Sequence, residues 1–290
     1  MHLGFSTMNT PMDPPIAELA VALEERGYES LWTGEHSHIP MCRTTPYPGD
    51  TDLPEPYTCM QDPYVSLTAA AAATTTLRIA TGIALPLERD LFSQAKTIST
   101  LDRFSAGRLI MGVGVGWNEE EFSNVSVLPW KKRYSALRET IAALRELWTQ
   151  PRPEYHGEFV NFDPVWCEPK PQQVSGPKIY FGAAAAVGLE NTVQWADGWL
   201  PVDLMLGETN DDISASLRNF RAMISKEGRK GEDIAISVQT MVTPDLDQLK
   251  FYRDQGIERI IIGVDADGWD EPERIMPMVD EFANYIPKIQ

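Results

Sequence analysis

AKTISTLDRFSAGRLIMGVGVGWNEEEFS, residues Ala95 to Ser123, reads as helix, stop and buried strand in immediate succession. The apolar spacing predicts a helix over Lys96 to Phe104, Gly107 ends it, and a strand runs from Leu109 to Val115. Gly112, Gly114 and Gly116 occupy alternate positions of that strand and its exit. Strand side chains alternate faces, so all three glycines leave the same face bare. Glycine weakens a strand and marks a place where a ligand or another backbone comes close. Trp117, Asn118, Glu119 and Glu120 follow at the C-terminal end. Two readings stand side by side: the floor of a pocket for something flat, or a thin layer in a packed barrel interior.

Outward from this stretch, short apolar runs alternate with amphipathic segments. Strands are predicted at Leu3 to Ser6, Ser30 to Thr33, Arg78 to Leu85, Leu109 to Val115, Lys178 to Gly182, Gly198 to Val202, Ile234 to Val242 and Arg259 to Val264. Between them lie helical stripes such as Leu137, Ile141, Leu144 and Trp148, or Ile213, Leu217, Phe220 and Ile224. Gly27, Gly107, Gly228 and Gly256 each separate a helical segment from a strand, where a left-handed stop is expected. Such alternation predicts an α/β fold with a parallel sheet, most simply a closed (β/α)8 TIM barrel. An open doubly wound sheet is the alternative. At 290 residues the whole chain, 1–290, suits a single barrel domain.

Three segments interrupt the alternation, at about 39–62, 118–130 and 150–177, the last with a possible hairpin through Tyr155 to Phe162. All three leave the C-terminal ends of strands, where barrel active sites lie. They read as lid-type insertions.

Composition narrows the function classes. A formal charge of -17 makes duplex nucleic acid a poor partner. No apolar run approaches the roughly 18 residues of a membrane span. MHLGFSTMNTP has neither the basic nor the long apolar region of a secretory signal, and a cytoplasmic protein is expected. Cys42, Cys59 and Cys167 are too few and too scattered for a disulfide framework or a metal knuckle.

The second strand ends in LWTGEHSHIP, which puts Glu35, His36 and His38 at the mouth. His36 suits general acid–base work with Glu35 tuning or orienting it, or it simply hydrogen-bonds a loop. His36 and His38 also form an H-x-H pair, but a metal hydrolase needs further ligands from later strands. Only His2 and His156 remain, both badly placed, so no metal is expected. The Gly112 to Gly116 run lacks the spacing of a dinucleotide fingerprint, and there is no P-loop. A phosphate fits best at FGAAAAVGLENT, where free amides at a helix start bind anions, although an ordinary tight turn also favours Gly and Ala. No Lys or Arg lies between Trp199 and Leu217, Met241 and Leu249, or Ile260 and Glu273. That scarcity, with Trp117, Trp130, Trp166, Trp199 and Trp269, suits a neutral, partly apolar small organic substrate.

With SLWTGEH, ATGIALPLERDLFSQAKTISTLDRFSAGRL, GVGVGWNEEEF, PKIYFGAAAAVGL and ADGW in place, the chain resembles the luciferase-like monooxygenase family over nearly its whole length. It is most similar to the branch that uses the deazaflavin coenzyme F420. The resemblance implies a flat cofactor ring at the barrel mouth, supported by Gly82, Ile83 and Ala84 with a non-prolyl cis peptide at Gly82–Ile83. It places the ribityl-phosphate at Ala183, Ala184, Ala185, Ala186, Val187 and Gly188, where family members usually carry more glycine. Gly116, Trp117 and Asn118 would wall the pocket, and Glu35–His36 matches an acid–histidine pair near the hydride-transfer face. The cationic residues of the sugar-phosphate-oxidising branch are missing. The implied protein is an F420-dependent oxidoreductase and a homodimer. FMN in a two-component monooxygenase is the alternative cofactor, and a non-catalytic flavin-binding relative is the third reading.

Overall fold

The computed structural model describes residues 1–48, 52–265 and 268–290. Its strands are β1 (His2–Thr7), β2 (Ser30–Thr33), β3 (Arg78–Ala84), β4 (Leu109–Val113), β5 (Tyr155–His156), β6 (Asn161–Phe162), β7 (Lys178–Phe181), β8 (Gly198–Trp199), β9 (Ala235–Gln239) and β10 (Arg259–Ile262). All but β5 and β6 are parallel and close into a barrel in the order β1-β10-β9-β8-β7-β4-β3-β2. This is the (β/α)8 TIM barrel. The strands are short and buried on both faces, as a barrel covered by helices requires. Six stop short of the expected C-terminal end, namely β3, β4, β7, β8, β9 and β10; β4 ends at Val113 and β8 at Trp199, after which Val202 makes one isolated bridge to Gln239.

The surrounding helices are α1 (Ile16–Glu25), α2 (Pro63–Ala73), α3 (Leu91–Phe104), α4 (Glu119–Val125), α5 (Arg133–Thr149), α6 (Ala186–Trp195), α7 (Asn210–Lys226), α8 (Leu246–Asp254), α9 (Ile275–Ala283) and α10 (Ile286–Ile289). The α5 and α7 stripes are buried as their periodicity predicts. The four glycine stops, Gly27, Gly107, Gly228 and Gly256, have φ between 71° and 82°. Of the interruptions, 150–177 holds the antiparallel β5–β6 hairpin, and 39–62 carries a short 3-10 turn at Glu55–Thr58, its residues 49–51 lying outside the described ones. Residues 118–130 contain α4, a helix that the alternation did not include. Among the described residues no helix is long and apolar enough to cross a membrane.

The barrel interior is built in layers. Trp32, Ala80, Ile110, Tyr180, Leu200 and Ile261 form the apolar layer. Below it, towards the N-terminal ends of the strands, Arg259 is buried at 2% exposure. Its Nε and Nη2 donate to Glu29 at 2.6 and 2.8 Å, and Nη1 donates to Ser237 at 2.9 Å. Burial opposes the ionisation of Glu29, yet Arg259 overrides it and holds the carboxyl below its ordinary range.

Towards the mouth, the glycines of β4 show why they are needed. β3 and β4 lose register between Thr81 and Ala84, so β3 bulges, and the Gly82–Ile83 peptide is cis. A Cβ on Gly112 would lie 2.1 Å from the Thr81 carbonyl oxygen. One on Gly114 would lie 2.1 Å from Ile83 Cδ1. Neither glycine is therefore the floor of a ligand pocket: the approaching group is protein, the backbone and side chain of the β3 bulge. The two positions should respond differently to substitution. Gly112→Ala forces a methyl against backbone and is expected to cost about 3 kcal/mol in denaturant unfolding. Gly114→Ala meets only a side-chain tip, and its smaller loss should be recovered by adding Ile83→Val.

Candidate active site

The loop leaving β2 carries Glu35 and His36 in opposite directions. The Glu35 amide donates to the Ile83 carbonyl at 3.1 Å, which seats the loop on the bulge. Its carboxylate turns away from His36, accepting from the Leu85 amide at 2.7 Å and from Arg89 Nε. Arg89 also donates to Asp62 at 2.6 Å and lies over the Tyr64 ring. Burial pushes the Glu35 carboxyl up, against the pull of Arg89 and the Leu85 amide. Glu35 thus ties the β2 exit to the turn after β3 and does not orient His36.

The carboxylate that does so is Glu121. His36 Nδ1 and Glu121 Oε2 are 2.6 Å apart, with the two side chains 9% and 1% exposed. Glu121 Oε1 accepts from the Ser37 amide at 3.1 Å. On the other side of the ring, Trp117 Nε1 donates to His36 Nε2 at 3.3 Å. An indole N–H can only donate, so Nε2 is the acceptor and the ring proton sits on Nδ1, facing Glu121. This tautomer follows from hydrogen-bond chemistry.

α4 exists because Asn118 caps it, its side-chain oxygen accepting from the Glu121 amide at 3.3 Å. Glu119, Glu120 and Glu121 fill its first turn, where the helix dipole favours carboxylates. Asn118 is therefore a buried cap beside the pocket, and Trp117 is the residue that faces His36. The cap-to-third-residue spacing of Asn118 and Glu121 is the sequence signal that would have revealed both the helix and the inward carboxylate. His38 plays no part in the cluster: it turns to Asn124, with Nε2 2.9 Å from Nδ2.

Segment 39–62 folds over this group. Glu120 Oε1 accepts from the Thr44 amide and hydroxyl at 2.6 and 2.7 Å and from the Thr45 amide at 3.1 Å. Hydrogen bonds from Thr45 and Thr44 hold the Glu120 carboxyl down at about 2. Tyr57 then packs on His36 at 5.2 Å between centroids, on Trp117 at 6.4 Å and on Trp269 at 5.9 Å. Tyr47 meets Trp117 edge-on at 5.5 Å. Alongside, a small opening is lined by Ser6, Thr7, Gln239, Met241 and Trp269 among others. Asp13 and Glu271 are its charged lining residues. Among the described residues that line it, none is Lys or Arg.

The positions expected to hold a cofactor fall into two groups. Gly82, Ile83 and Ala84 form the bulge, and Ile83 fills the space over Gly114 and Gly182, giving the mouth an apolar floor. Ala184, Ala185, Ala186 and Val187 are exposed where β7 passes into α6. Ala185 gives α6 no side-chain cap; of the first-turn amides, that of Gly188 donates to the Ala185 carbonyl at 2.8 Å, and those of Ala186 and Val187 have no partner inside the helix. Gly188 lies behind them, where a Cβ would come 2.6 Å from that of Ala183. A flat ring and an anion match these features. Gly116 belongs to neither group, with φ +73° and Glu88 Oε1 3.4 Å from where its Cβ would be.

The Glu120 clasp generates a direct test. Glu120→Ala should speed hydrogen exchange at the Thr44 and Thr45 amides about tenfold, read by mass spectrometry. A depressed carboxyl keeps its contribution above the ordinary range near 4.5, so acid should release the native clasp only as pH falls towards about 2.

An uncharacterized protein of Mycobacterium tuberculosis is 35% identical over 298 aligned positions, covering 100% of this chain and 97% of its own. The FMNH2-dependent dimethylsulfone monooxygenase of Pseudomonas putida is 30% identical over 177 positions, 60% of this chain and 46% of its own. Among solved structures, an F420-dependent secondary alcohol dehydrogenase superposes with a TM-score of 0.76 at 16% identity, covering 100% of this chain and 99% of its own. The profile of the luciferase-like monooxygenases matches residues 7–278, and the chain belongs to that family.

Proposed function

We propose that this protein is an oxidoreductase that moves a hydride between coenzyme F420 and a neutral small organic molecule, with His36 as the acid–base residue. The observation that carries the reading is the fixed His36 ring at the exit of β2, with its proton on Nδ1 towards Glu121 and its lone pair on Nε2 towards Trp117. A substrate hydroxyl that displaces the Trp117 N–H meets that lone pair and can pass its proton to it. Glu121 then stabilises the positive charge on the ring. In the reverse direction the imidazolium returns the proton to a carbonyl oxygen.

The coenzyme supplies the hydride chemistry, and the chain supplies position and a dry mouth. Ile83 would support the ring, and the exposed amides of Ala184 to Val187 would hold the phosphate. The neutral character of the substrate is supported by an opening whose described lining offers no cation for an anionic group. The name of the 16%-identical structural neighbour, a secondary alcohol dehydrogenase, agrees with this class.

FMN is the alternative cofactor, favoured by the FMNH2-dependent relative at 30% identity. Fluorescence titration of the apoprotein with F420 and with FMN separates the two. Tight F420 and weak FMN binding is expected; the reverse preference would move the protein to the oxygen-using branch. His36→Ala should then lower turnover at least about tenfold with coenzyme affinity nearly unchanged, since acid–base groups contribute 10²–10⁴-fold. Near-normal turnover in that variant removes His36 from the mechanism.

A further inference from the structure

Glu88 is a carboxylate that none of the preceding chemistry uses. It ends the short 3-10 turn Pro86–Glu88 after β3, and its amide is spent on the Leu85 carbonyl at 3.0 Å. Its Oε2 is buried and meets no donor among the described residues. The turn that carries it packs on α4, and the carboxyl that bears on it from there is Glu121, itself an acceptor. Both oxygens of Glu121 are already engaged, Oε2 with His36 and Oε1 with the Ser37 amide. Two carboxylates cannot make such a contact unless one carries a proton, and a buried acceptor with no donor is costly. Because Glu121 has donors and Glu88 has none, the proton belongs to Glu88.

We propose that Glu88 is a positioning residue for the acid–base pair, its protonated carboxyl donating to Glu121 and completing a chain His36–Glu121–Glu88. The charges that bear on Glu88 agree with this. Burial acts first, then Glu121 from α4 and Glu35 from the β2 exit, and together they push the carboxyl up to about 8. Arg89, next along its own turn, is committed to Glu35 and Asp62. α5 also packs on the turn, and no residue of it is among the causes that shift Glu88. With Glu88 neutral, Glu121 has a donor on three sides and holds one orientation against Nδ1 of His36. Once Glu88 ionises, that donor is lost and a second negative charge faces Glu121.

Only the catalytic consequence rests on the acid–base reading of His36; the chain itself is testable in the apoprotein. The experiment is a histidine-selective carbon-detected NMR titration from pH 6 to pH 10. The sequence has 4 histidines, and His36→Gln identifies the resonance. The wild-type His36 signal should show a step near pH 8 as Glu88 ionises, and Glu88→Gln, which mimics the protonated form, should abolish it. A His36 trace with no step there, or the same step in Glu88→Gln, overturns the proposal.

Stability supplies a second readout. A carboxyl whose folded pKa lies above its unfolded one binds its proton in the native state first, so stability falls as pH rises through that window. The urea midpoint of the wild type should therefore drop between pH 6 and pH 8 more than that of Glu88→Gln; equal drops count against the chain. Loss of turnover in His36→Ala tests the function separately, and either result can fail while the other stands.

Discussion

The mouth of this barrel depends on one close approach, that of the β3 bulge to the bare face of β4. Thr81 and Ile83 occupy the space that side chains at 112 and 114 would fill. The bulge in turn sets everything around it. The Gly114 amide reaches the Ala84 carbonyl at 3.0 Å, the Glu35 amide reaches the Ile83 carbonyl at 3.1 Å, and the Leu85 amide reaches the Glu35 carboxylate at 2.7 Å. Three strand exits are thereby locked to one another through backbone groups. His36, one residue beyond Glu35, takes its direction from that lock.

Four glutamates cluster around this lock, and their surroundings give them four different tasks. Glu35 is buried against a guanidinium and Glu121 against an imidazole, while the half-buried Glu120 holds the amides and hydroxyl of a loop and the half-buried Glu88 lies under the influence of another carboxylate. Identical side chains are driven apart by partner and solvent access, from about 2 at Glu120 to about 8 at Glu88. A net charge of -17 is thus compatible with a site whose individual carboxyls behave quite differently from solvated ones.

The barrel was legible in the sequence because its signals are local and periodic. Stripes such as Leu137, Ile141, Leu144 and Trp148, and stops such as Gly107, need no knowledge of distant residues. The pairing of His36 was not legible in that way. Adjacent residues on an extended chain point to opposite sides, so Glu35 and His36, neighbours in sequence, are poor candidates to face each other. The partner, Glu121, is brought in by a cap on α4, a helix that lies inside the 118–130 interruption. The glycine pattern was ambiguous for a related reason. Alternation shows that a face is bare, but whether a ligand or a neighbouring strand fills it depends on a register shift in β3 that no spacing in β4 encodes.

The guanidinium of Arg259 lies beneath the layer of Trp32 and Tyr180, with Glu29 and Ser237 holding it there. A charge seated so deeply binds two distant positions of the sequence to one fate. Removing Glu29 strips the guanidinium of its closest carboxylate inside the barrel, so exchange at position 29 is tolerated only with exchange at position 259.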